Sequence, residues 1–459
     1  MTEGNLVLGK SDNVLIDKRE LRSRRHAWDI IKRATFKDRR LTDVLAERIR
    51  HGNFTDQEKR FITEMVQGSV RMAGRLDWEL SQVFKGSMDD LKPHYLILLR
   101  IGVYQIRYMD SIPDYAAVTT TVQLAKRIHE NLGGLTNALL RSLIKHEMPE
   151  TPDEHTPIEY TAQYYSHPEW LMNKWITEGN FDDAVSLATW NNKAPQIWFR
   201  VNTITYTATK FKNYLKKNEI EFEQFPHLKN FFAPKRSVGF LLNSDLFKEG
   251  NISIQDPAGG LVVTLLDPKK GDVIIDGCAA PGGKAAFTAE LMKNKGKILA
   301  FDKSKERLGR LSSGMKRLSI DIVDAEIKDL TRDSLPEVSK MILDVPCSGT
   351  GVMAKRADLR WRRDMDNLLE LHLQQRKILW EASKSLEHGG TLVYSTCSLE
   401  LEENWMIVEA FLKSHPDFKL DDASNYVPKE FVDDKGALFT FPPKHGIDGG
   451  FAVRLVRDA

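Results

Sequence analysis

The chain has 459 residues, of which 28% are charged, and its formal net charge of +2 indicates neither a strongly acidic nor a strongly basic partner. This length allows two or three domains, each large enough to be stable without disulfides. The three cysteines form no CxxC pair and no apolar stretch approaches a membrane span, so we expect a cytoplasmic protein with no disulfide framework, no metal site and no membrane contact.

The N-terminal part is predicted to be a helical domain. Residues 1–20 are polar and are expected to form a flexible tail. Over residues 21–148 apolar side chains recur every three or four positions, which predicts an all-helical domain. Ten basic residues against three acidic ones between Lys18 and Arg40 favour an RNA-binding module over a scaffold or a protein-binding module.

The middle of the chain is predicted to hold a linker and a small subdomain. Four prolines among clustered acids predict a linker over residues 149–168. Residues 169–250 mix helical stretches with short extended runs, which predicts a small α+β, RRM-like subdomain. Arg200 and Asn202 in one extended run are candidates for RNA contact; the alternative is that they are ordinary strand-edge polar residues.

Regular alternation of strands and helices marks residues 251–459. Strands are predicted near 272–278, 297–302, 323–328, 340–344 and 391–397, and helices near 284–294, 304–318, 366–387 and 402–414. Continuous apolar strands alternating with helices predict an α/β domain with a doubly wound, Rossmann-like parallel sheet. Phe451–Val456 is predicted to add an antiparallel edge strand.

A glycine-containing turn over 276–287, DGCAAPGGKAAF, follows the first of these strands and opens a helix. Alanine after Lys284 excludes a phosphate loop, and the turn is not GxGxxG. Asp302 and Asp329 end the second and third strands, where an acid can accept ribose hydroxyls. This pattern fits an adenosine ligand without a pyrophosphate, such as S-adenosylmethionine, whose sulfonium cation favours carboxylates. The alternative for each acid is a helix N-cap.

All three cysteines close apolar strands: Cys278, Cys347 and Cys397. A single cysteine there is commonly a small buried hydrophobe, but three of three favour a functional site. Asp344 lies three residues before Cys347 in ILDVPCSGTG, just past a strand end, where open α/β sheets bind ligands. We expect the strands that end at Cys347 and Cys397 to be neighbours, so that both thiols can face one ligand. The residues alone leave open which thiol attacks.

A basic segment, MAKRADLRWRR, follows Cys347. Its Lys355, Arg356 and Arg360 are candidates for RNA contact, with Trp361 as a stacking surface. The alternative is a solvated loop with one core tryptophan. Its position beside the predicted site favours RNA contact.

Three segments, DGCAAPGGK, ILDVPCSGTGV and YSTCSLELEEN, resemble in order and spacing the RNA cytosine-5 methyltransferases of the RsmB/Sun family. Three more, RIGVYQIRYM, IPDYAAVTTTVQLAK and GLTNALLRSLI, resemble the NusB-like helical domain of that family, and HPEWL and FRVNT match its connecting regions. Two positions depart from the family pattern. Thr119-Thr120 replace a frequent Asn-Glu, and Gly450-Phe451 replace a pair of phenylalanines.

The resemblance implies an enzyme that methylates carbon 5 of a cytosine in small-subunit (16S) ribosomal RNA through a covalent cysteine–carbon 6 adduct. It implies Cys397 as the nucleophile, Cys347 as the residue that aids product release, and Asp344 as a contact to both methyl donor and base. It implies that Asp302 holds the ribose of S-adenosylmethionine and Asp329 lies near the adenine. The rest of the implied donor pocket is Cys278, Ala279, Ala280, Pro281, Gly282, Gly283 and Lys284.

The resemblance also implies ribosomal RNA as the partner, no metal, and a monomer. Two other functions are compatible with parts of the sequence. A non-catalytic RNA-binding or assembly factor would be expected to have lost a thiol or the donor loop, and both are intact. A methyltransferase for proteins or small molecules would need no paired thiols, because amine and oxygen methylation proceed without a covalent adduct.

Overall fold

The computed structural model describes residues 18–459, which form two compact units. One unit comprises residues 18–188 with 356–358, and the other comprises Thr189–Lys355 with Leu359–Ala459. Of the predicted flexible tail, residues 1–17 lie outside the described residues, and the first helix begins at Lys18. No helix in the described part of the chain is long and apolar enough to cross a membrane.

The first unit is all-helical, as the apolar periodicity predicted. Its helices within residues 18–188 are α1 (Lys18–Phe36), α2 (Leu41–His51), α3 (Asp56–Arg71), α4 (Ala73–Val83), α5 (Pro93–Tyr108), α6 (Asp114–Ile128), α7 (Leu132–Lys145), α8 (Ile158–Tyr164) and α9 (Glu169–Glu178). Ile62, Leu76 and Leu98 are fully buried in its core. A capping box begins α3, in which the N–H of Glu58 donates to Thr55 Oγ1 at 3.2 Å and the N–H of Thr55 donates to Glu58 Oε2 at 2.7 Å.

The segment predicted as a linker, residues 149–168, is partly helical. It contains α8, where Thr161 and Ala162 are buried. Ser166 fixes the C-terminal end of this segment. Its Oγ donates to the carbonyl of Arg71 at 2.8 Å and accepts from the N–H of Gly74 at 3.1 Å. The prolines and acids that suggested a linker therefore bound a short packed helix.

A four-stranded antiparallel sheet forms the small α+β subdomain, which lies in the second unit. Helix α10 (Phe181–Asn192) precedes it along the chain. The subdomain consists of β1 (Phe199–Val201), α11 (Ala208–Lys217), β2 (Phe222–Gln224), β3 (Phe231–Pro234), α12 (Val238–Asn243), α13 (Asp245–Lys248) and β4 (Ile252–Ile254), with strand order β2-β3-β1-β4. The last strand lies just past the boundary predicted at residue 250.

An eight-stranded sheet forms the rest of the second unit. Its strands are β5 (Val273–Gly277), β6 (Lys297–Asp302), β7 (Val323–Ile327), β8 (Val338–Asp344), β9 (Leu386–Thr396), β10 (Phe418–Asp421), β11 (Leu438–Thr440) and β12 (Gly450–Arg457). The helices around it are α14 (Pro257–Leu266), α15 (Gly283–Leu291), α16 (Lys305–Arg317), α17 (Met365–Ala382), α18 (Trp405–Ser414) and α19 (Pro442–His445). The strand order is β10-β12-β9-β8-β5-β6-β7, with β11 paired to β12.

The five central strands, β5 to β9, are parallel, as the alternating pattern predicted. The edge position predicted for Phe451–Val456 was wrong. Strand β12 is antiparallel but lies between β9 and β10, hydrogen-bonded on both sides. The reason is β10, a four-residue strand that the sequence analysis did not identify and that covers the outer edge of β12.

Candidate active site

Cys347 and Cys397 lie side by side at one edge of the parallel sheet. Cys397 directly follows β9, and Cys347 follows β8 by three residues. These strands pair in parallel with Asp344 opposite Ser395, so both loops leave the sheet at the same level. The two Sγ atoms are 3.1 Å apart, and the N–H of Cys397 donates to Cys347 Sγ at 3.3 Å. Both cysteines are free and half-buried, so the two loops present neighbouring thiols.

Close backbone packing holds the two cysteine loops together. The N–H of Gly351 donates to the carbonyl of Cys397 at 3.1 Å, and its own carbonyl accepts from the N–H of Gly449 at 2.8 Å. A Cβ at position 351 would lie 2.3 Å from the Gly449 oxygen, so a side chain does not fit there. Gly450, which stands in place of the family phenylalanine, is similarly tight, since a Cβ would lie 2.9 Å from the Thr396 oxygen.

An ion pair between Lys284 and Asp344 lies beside the thiols. Lys284 Nζ is 2.7 Å from Asp344 Oδ2, and Ser395 Oγ donates to Asp344 Oδ1 at 3.1 Å. Burial opposes the charged form of Lys284, but the negative charges of Asp344 and Cys397 outweigh it and raise the pKa of this lysine. The same attraction stabilises negative charge on Cys397, so the lysine favours a thiolate there.

Two of the three cysteines have raised pKa values. The hydrogen bond to Cys397, together with burial and the charge of Cys397, raises the pKa of Cys347 well above its ordinary value. Burial, with a contribution from Asp344, raises the pKa of Cys278 to about 12. Cys278 is therefore a thiol at physiological pH and is unsuited to be a nucleophile, although it too follows a strand.

The turn between β5 and α15, residues 278–284, borders a cleft at the same sheet edge. The N–H of Ala279 donates to the carbonyl of Phe301 at 2.8 Å, which fixes the turn against β6. The cleft is lined by Cys278, Asp302, Lys303, Arg307, Lys328, Asp329, Leu330, Pro346, Gln374 and Ile378. Its two acids and its apolar surfaces suit the ribose and adenine of an adenosine ligand. Of the predicted donor residues, Cys278, Asp302 and Asp329 line this cleft, and the character of its lining fits a methyl donor.

The two acids of this cleft have local partners. Asp302 is buried; its Oδ1 accepts from the N–H of Ser304 at 2.9 Å and its Oδ2 lies 3.0 Å from Arg307 Nη1. Asp329 Oδ1 accepts from Thr331 Oγ1 at 2.7 Å, a hydrogen bond that lowers the pKa of Asp329. Ser304, not Asp302, caps α16. The N-cap alternative is therefore wrong for Asp302.

A buried carboxylate with no hydrogen-bond partner was missed by the sequence analysis. Asp276 at the end of β5 is 2% exposed, and neither of its oxygens has a hydrogen-bond partner in the structure. Burial, reinforced by the charge of Asp344, raises the pKa of Asp276 to about 8. A cationic ligand in the neighbouring cleft would lower this pKa again, so Asp276 adds to the fit for a sulfonium donor.

We expect Asp276→Asn to stabilise the protein at alkaline pH in the absence of ligand. The folded state keeps this proton up to about pH 8, whereas the unfolded chain loses it near pH 4. Stability from the protonated group is therefore lost as pH rises from 4 to 8, and asparagine removes this loss. Melting curves should show the variant about 5 °C or more above wild type at pH 8, with the gap closing towards pH 5.

Asp324→Asn serves as the matched control, because Asp324 is exposed on β7 and pairs with Lys297 at the surface. It should follow the wild-type curve at every pH. A melting temperature of Asp276→Asn that parallels wild type from pH 5 to 8 would mean that Asp276 is already ionised in the folded protein.

Three residues predicted to contact RNA are instead buried structural groups. Arg200 is 1% exposed and forms an ion pair with Glu290 at 2.8 Å. Asn202 is fully buried and donates through Nδ2 to the carbonyls of Gly250 and Leu318. Arg360 is fully buried as well, and its Nη2 donates to the carbonyl of Asn191 at 2.9 Å. The prediction of RNA contact was therefore wrong for these three, because their side chains are buried and bond to other parts of the protein.

The other two predicted RNA contacts differ from each other. Lys355 Nζ lies between Asp256 Oδ2 at 2.6 Å and Asp448 Oδ2 at 2.8 Å. Burial opposes its charge, but the two carboxylates raise the pKa of Lys355 overall. This lysine therefore fixes the loop after Cys347 and is not a free cation for phosphate. Arg356 is exposed and stays a candidate for RNA contact.

Arg200→Ala should destabilise the protein without a specific loss of RNA affinity. The substitution leaves Glu290 buried and unpaired, which costs about 3–5 kcal/mol of unfolding free energy. Arg200 Nη1 also donates to the carbonyl of Gly283 at 3.1 Å, so donor affinity should fall as the donor turn loosens. Denaturant unfolding and donor titration measure both effects. Arg236→Ala removes an exposed arginine of the same subdomain and is the control, which should change neither the stability nor the donor affinity. If Arg200→Ala instead leaves the stability unaltered and weakens RNA binding, Arg200 contacts RNA as the sequence predicted.

The residues that hold the Cys347 loop were not predicted from the sequence. Glu403 is fully buried, and its carboxylate accepts hydrogen bonds from the N–H of Ser348 at 2.8 Å and from Gln375 Nε2 at 2.7 Å. Arg363 donates to the carbonyls of Ser348 and Cys347 at 3.2 and 3.3 Å. Glu403 lies in YSTCSLELEEN, but nothing in that string distinguishes it from its neighbouring glutamates.

Three known families match successive parts of the chain. The family described as 16S rRNA methyltransferase RsmB/F matches residues 263–456. The NusB family matches residues 21–145, and the RsmF/B-like ferredoxin-like domain matches residues 167–232. These three matches correspond to the domain of the eight-stranded sheet, to the helical unit, and to the small α+β subdomain with the helices that precede it.

Full-length relatives are similar over nearly the whole chain. The probable ribosomal RNA small subunit methyltransferase B of Bacillus subtilis is 33% identical over 90% of this chain and 93% of its own length. The protein of the same name from Synechocystis sp. is 30% identical over 90% of this chain and 95% of its own length. The crystal structure of PH0851 superposes with a TM-score of 0.81 at 27% identity, covering 96% of this chain and 99% of that one.

Proposed function

The chain belongs to the RsmB/F family of 16S rRNA methyltransferases, and from this premise we propose that it methylates carbon 5 of a cytosine in small-subunit ribosomal RNA. The observation that carries the proposal is the pair of thiols, with Sγ atoms 3.1 Å apart at neighbouring strand ends. Methylation of nitrogen or oxygen needs no thiol, whereas methylation of carbon 5 needs both a nucleophile at carbon 6 and a base at carbon 5.

The donor proposed is S-adenosylmethionine, which supplies an electrophilic methyl group on a sulfonium. In the proposal the turn of residues 278–284 contacts the donor, with Asp302 at its ribose and Asp329 near its adenine. Asp302 is already held by Ser304 and Arg307, so its carboxylate is oriented before the donor binds. The buried, unpartnered oxygens of Asp276 favour a cationic group nearby.

Cys397 is proposed as the nucleophile. Its thiolate adds to carbon 6 of cytosine, forming an S–C6 bond and making carbon 5 electron-rich. Two features support this role over one for Cys347. Lys284 favours negative charge on Cys397, and the neighbouring charges of Glu403 and Asp344 disfavour a thiolate at Cys347.

Cys347 is proposed as the base that completes the reaction. After methyl transfer, carbon 5 still carries a proton, which a base must remove before the ring can become aromatic again. Cys347 lies next to the sulfur that would be bonded to carbon 6, so it is close to carbon 5 as well. The electron pair of the C5–H bond then restores the C5–C6 double bond, and the S–C6 pair returns to Cys397.

Asp344 is proposed to act on the target base together with Lys284. Addition at carbon 6 places negative charge on the ring, and a proton or hydrogen bond at N3 stabilises it. Lys284 Nζ and Asp344 Oδ2 are 2.7 Å apart. In the proposal the lysine ammonium provides the proton or hydrogen bond to N3, and Asp344 orients the lysine. Ser395 Oγ fixes Asp344 from the other side.

The target cytosine must leave any base stack to reach these thiols, and a loop of RNA allows this at low cost. Arg356 is the exposed cation of the basic segment and is proposed to contact the RNA backbone there. A cytoplasmic location, a monomeric state and the absence of a metal stay predictions.

Bisulfite sequencing of small-subunit ribosomal RNA, with and without the gene, tests the proposal. We expect one fully protected cytosine to become convertible when the gene is deleted and to be protected again when it is restored. If deletion instead removes a methylated cytosine from transfer RNA or large-subunit RNA, the proposed substrate is wrong and the proposed chemistry stands. No lost mark in any RNA, together with no methyl transfer by the purified protein, would overturn the proposed function.

A further inference from the structure

A buried carboxylate connects the two cysteine loops. Glu403 is fully buried and lies six residues after Cys397. Its oxygens accept from the N–H of Ser348 at 2.8 Å, from Ser348 Oγ, and from Gln375 Nε2 at 2.7 Å. All of these donors are neutral groups, so they solvate the negative charge of Glu403 without cancelling it. Burying such a charge costs stability, which suggests that its position serves the site.

The contacts of Glu403 belong to a set of hydrogen bonds between the loops. Ser348 Oγ lies 3.0 Å from Ser398 Oγ, and the N–H of Leu399 donates to Thr350 Oγ1 at 2.9 Å. Each of these residues lies one to three positions after one of the two cysteines in its own loop. Through Ser348, Glu403 therefore controls the backbone directly after Cys347, and with it the separation of the two sulfurs.

Glu403 also acts on Cys347 through its charge. The pKa of Cys347 is raised by its hydrogen bond to Cys397, by burial, and by the charges of Cys397, Glu403 and Asp344, in that order. The first and third of these causes disappear when Cys397 is bonded to a base, because its sulfur is then a neutral thioether. Burial and the charges of Glu403 and Asp344 remain, so these two carboxylates contribute to how basic Cys347 is during product release.

Resting on the proposed function, we propose that Glu403 is a positioning residue that braces the loop of Cys347 against the loop of Cys397 and sets the proton affinity of Cys347 for the release step. In the resting state the Cys347 thiol donates to the Cys397 sulfur. Once Cys397 has formed its bond to carbon 6, Cys347 gives its proton to solvent. The resulting thiolate removes the proton from carbon 5, the C5–C6 double bond re-forms, and the S–C6 bond breaks.

Two substitutions of Glu403 separate the effect of its hydrogen bonds to the Cys347 loop from the effect of its charge. Glu403→Ala removes the contacts to Ser348, so the release step should slow about a hundredfold, and a covalent RNA–protein complex should accumulate although both cysteines are present. Glu403→Gln keeps an acceptor for the N–H of Ser348 and for Gln375 but removes the charge. It should lower the proton affinity of Cys347 and move the pH at which release is half-maximal to a lower value. Single-turnover assays with the methyl donor and the RNA, resolved on denaturing gels, measure both.

Ser348→Ala provides a milder form of the same test, since it removes only the hydroxyl contact and should accumulate complex at an intermediate level. Glu381→Gln is the matched control, because Glu381 is partly exposed on α17 and pairs with Lys384; it should behave as wild type. Adduct formation and release that fall in parallel with the melting temperature, in all variants, would reduce Glu403 to a structural role and overturn the inference.

Failure of the inference and failure of the proposed function are distinguishable. Wild type that methylates carbon 5, together with Glu403 variants that release product at the wild-type rate and pH, would overturn the inference alone. Wild type that forms no covalent complex and methylates no cytosine would overturn the proposed function first.

Discussion

Replacing Cys397 by alanine is expected to reduce methyl transfer at least about a thousandfold, because the reaction then has no nucleophile at carbon 6. Cys347 is close enough to compete for this role, with Sγ atoms 3.1 Å apart. The hydrogen bond to Cys397 that contributes most to the raised pKa of Cys347 is lost in this variant, but burial and the charges of Glu403 and Asp344 remain and still disfavour a thiolate there. Transfer of labelled methyl from S-adenosylmethionine to small-subunit ribosomal RNA measures the effect.

The variant must remain folded and able to bind both ligands for this result to have meaning. We expect its melting temperature and its donor affinity to stay close to wild type, because Cys397 is half-buried and alanine removes only its sulfur. It should form no covalent complex with RNA. If Cys397→Ala instead traps such a complex, while Cys347→Ala abolishes the reaction, the roles of the two thiols are reversed.

The position of these thiols could be predicted because it depends on features that sequence encodes strongly. Continuous apolar runs identify buried parallel strands, and the residues that follow such strands meet at one edge of the sheet. Cys347 and Cys397 end two of those runs, and β8 and β9 are neighbours as expected. Asp344 and Lys284 likewise come together because one ends a strand and the other opens a helix at the same edge.

Burial of single polar residues could not be predicted in the same way. Arg200 and Arg360 lie in segments whose composition resembles a basic surface, but each side chain is enclosed by partners from distant parts of the sequence. Glu403 stands among three glutamates in four residues, and only the packing of the two loops selects it. Such choices depend on tertiary contacts that leave no local pattern.

The second large effect is expected from Cys347→Ala, which should trap the protein covalently on its RNA. Addition by Cys397 and methyl transfer do not require a second thiol, so both should proceed once. Removal of the carbon 5 proton then lacks its base, the S–C6 bond persists, and turnover should fall at least about a hundredfold. A slowly migrating RNA–protein band on denaturing gels, present only when S-adenosylmethionine is added, measures the trapped state.

The double variant Cys347→Ala with Cys397→Ala is the control, since it should form no band under any condition. Dependence of the band on the methyl donor is the informative part of this experiment. Before methylation, addition of the thiolate to carbon 6 is reversible, so a band without donor would mean that the adduct is stable without methyl transfer. After methylation, collapse requires loss of a proton from carbon 5, and the sulfur 3.1 Å from Cys397 is the group in position to take it. Unimpeded turnover in Cys347→Ala would mean that solvent or another residue takes this proton.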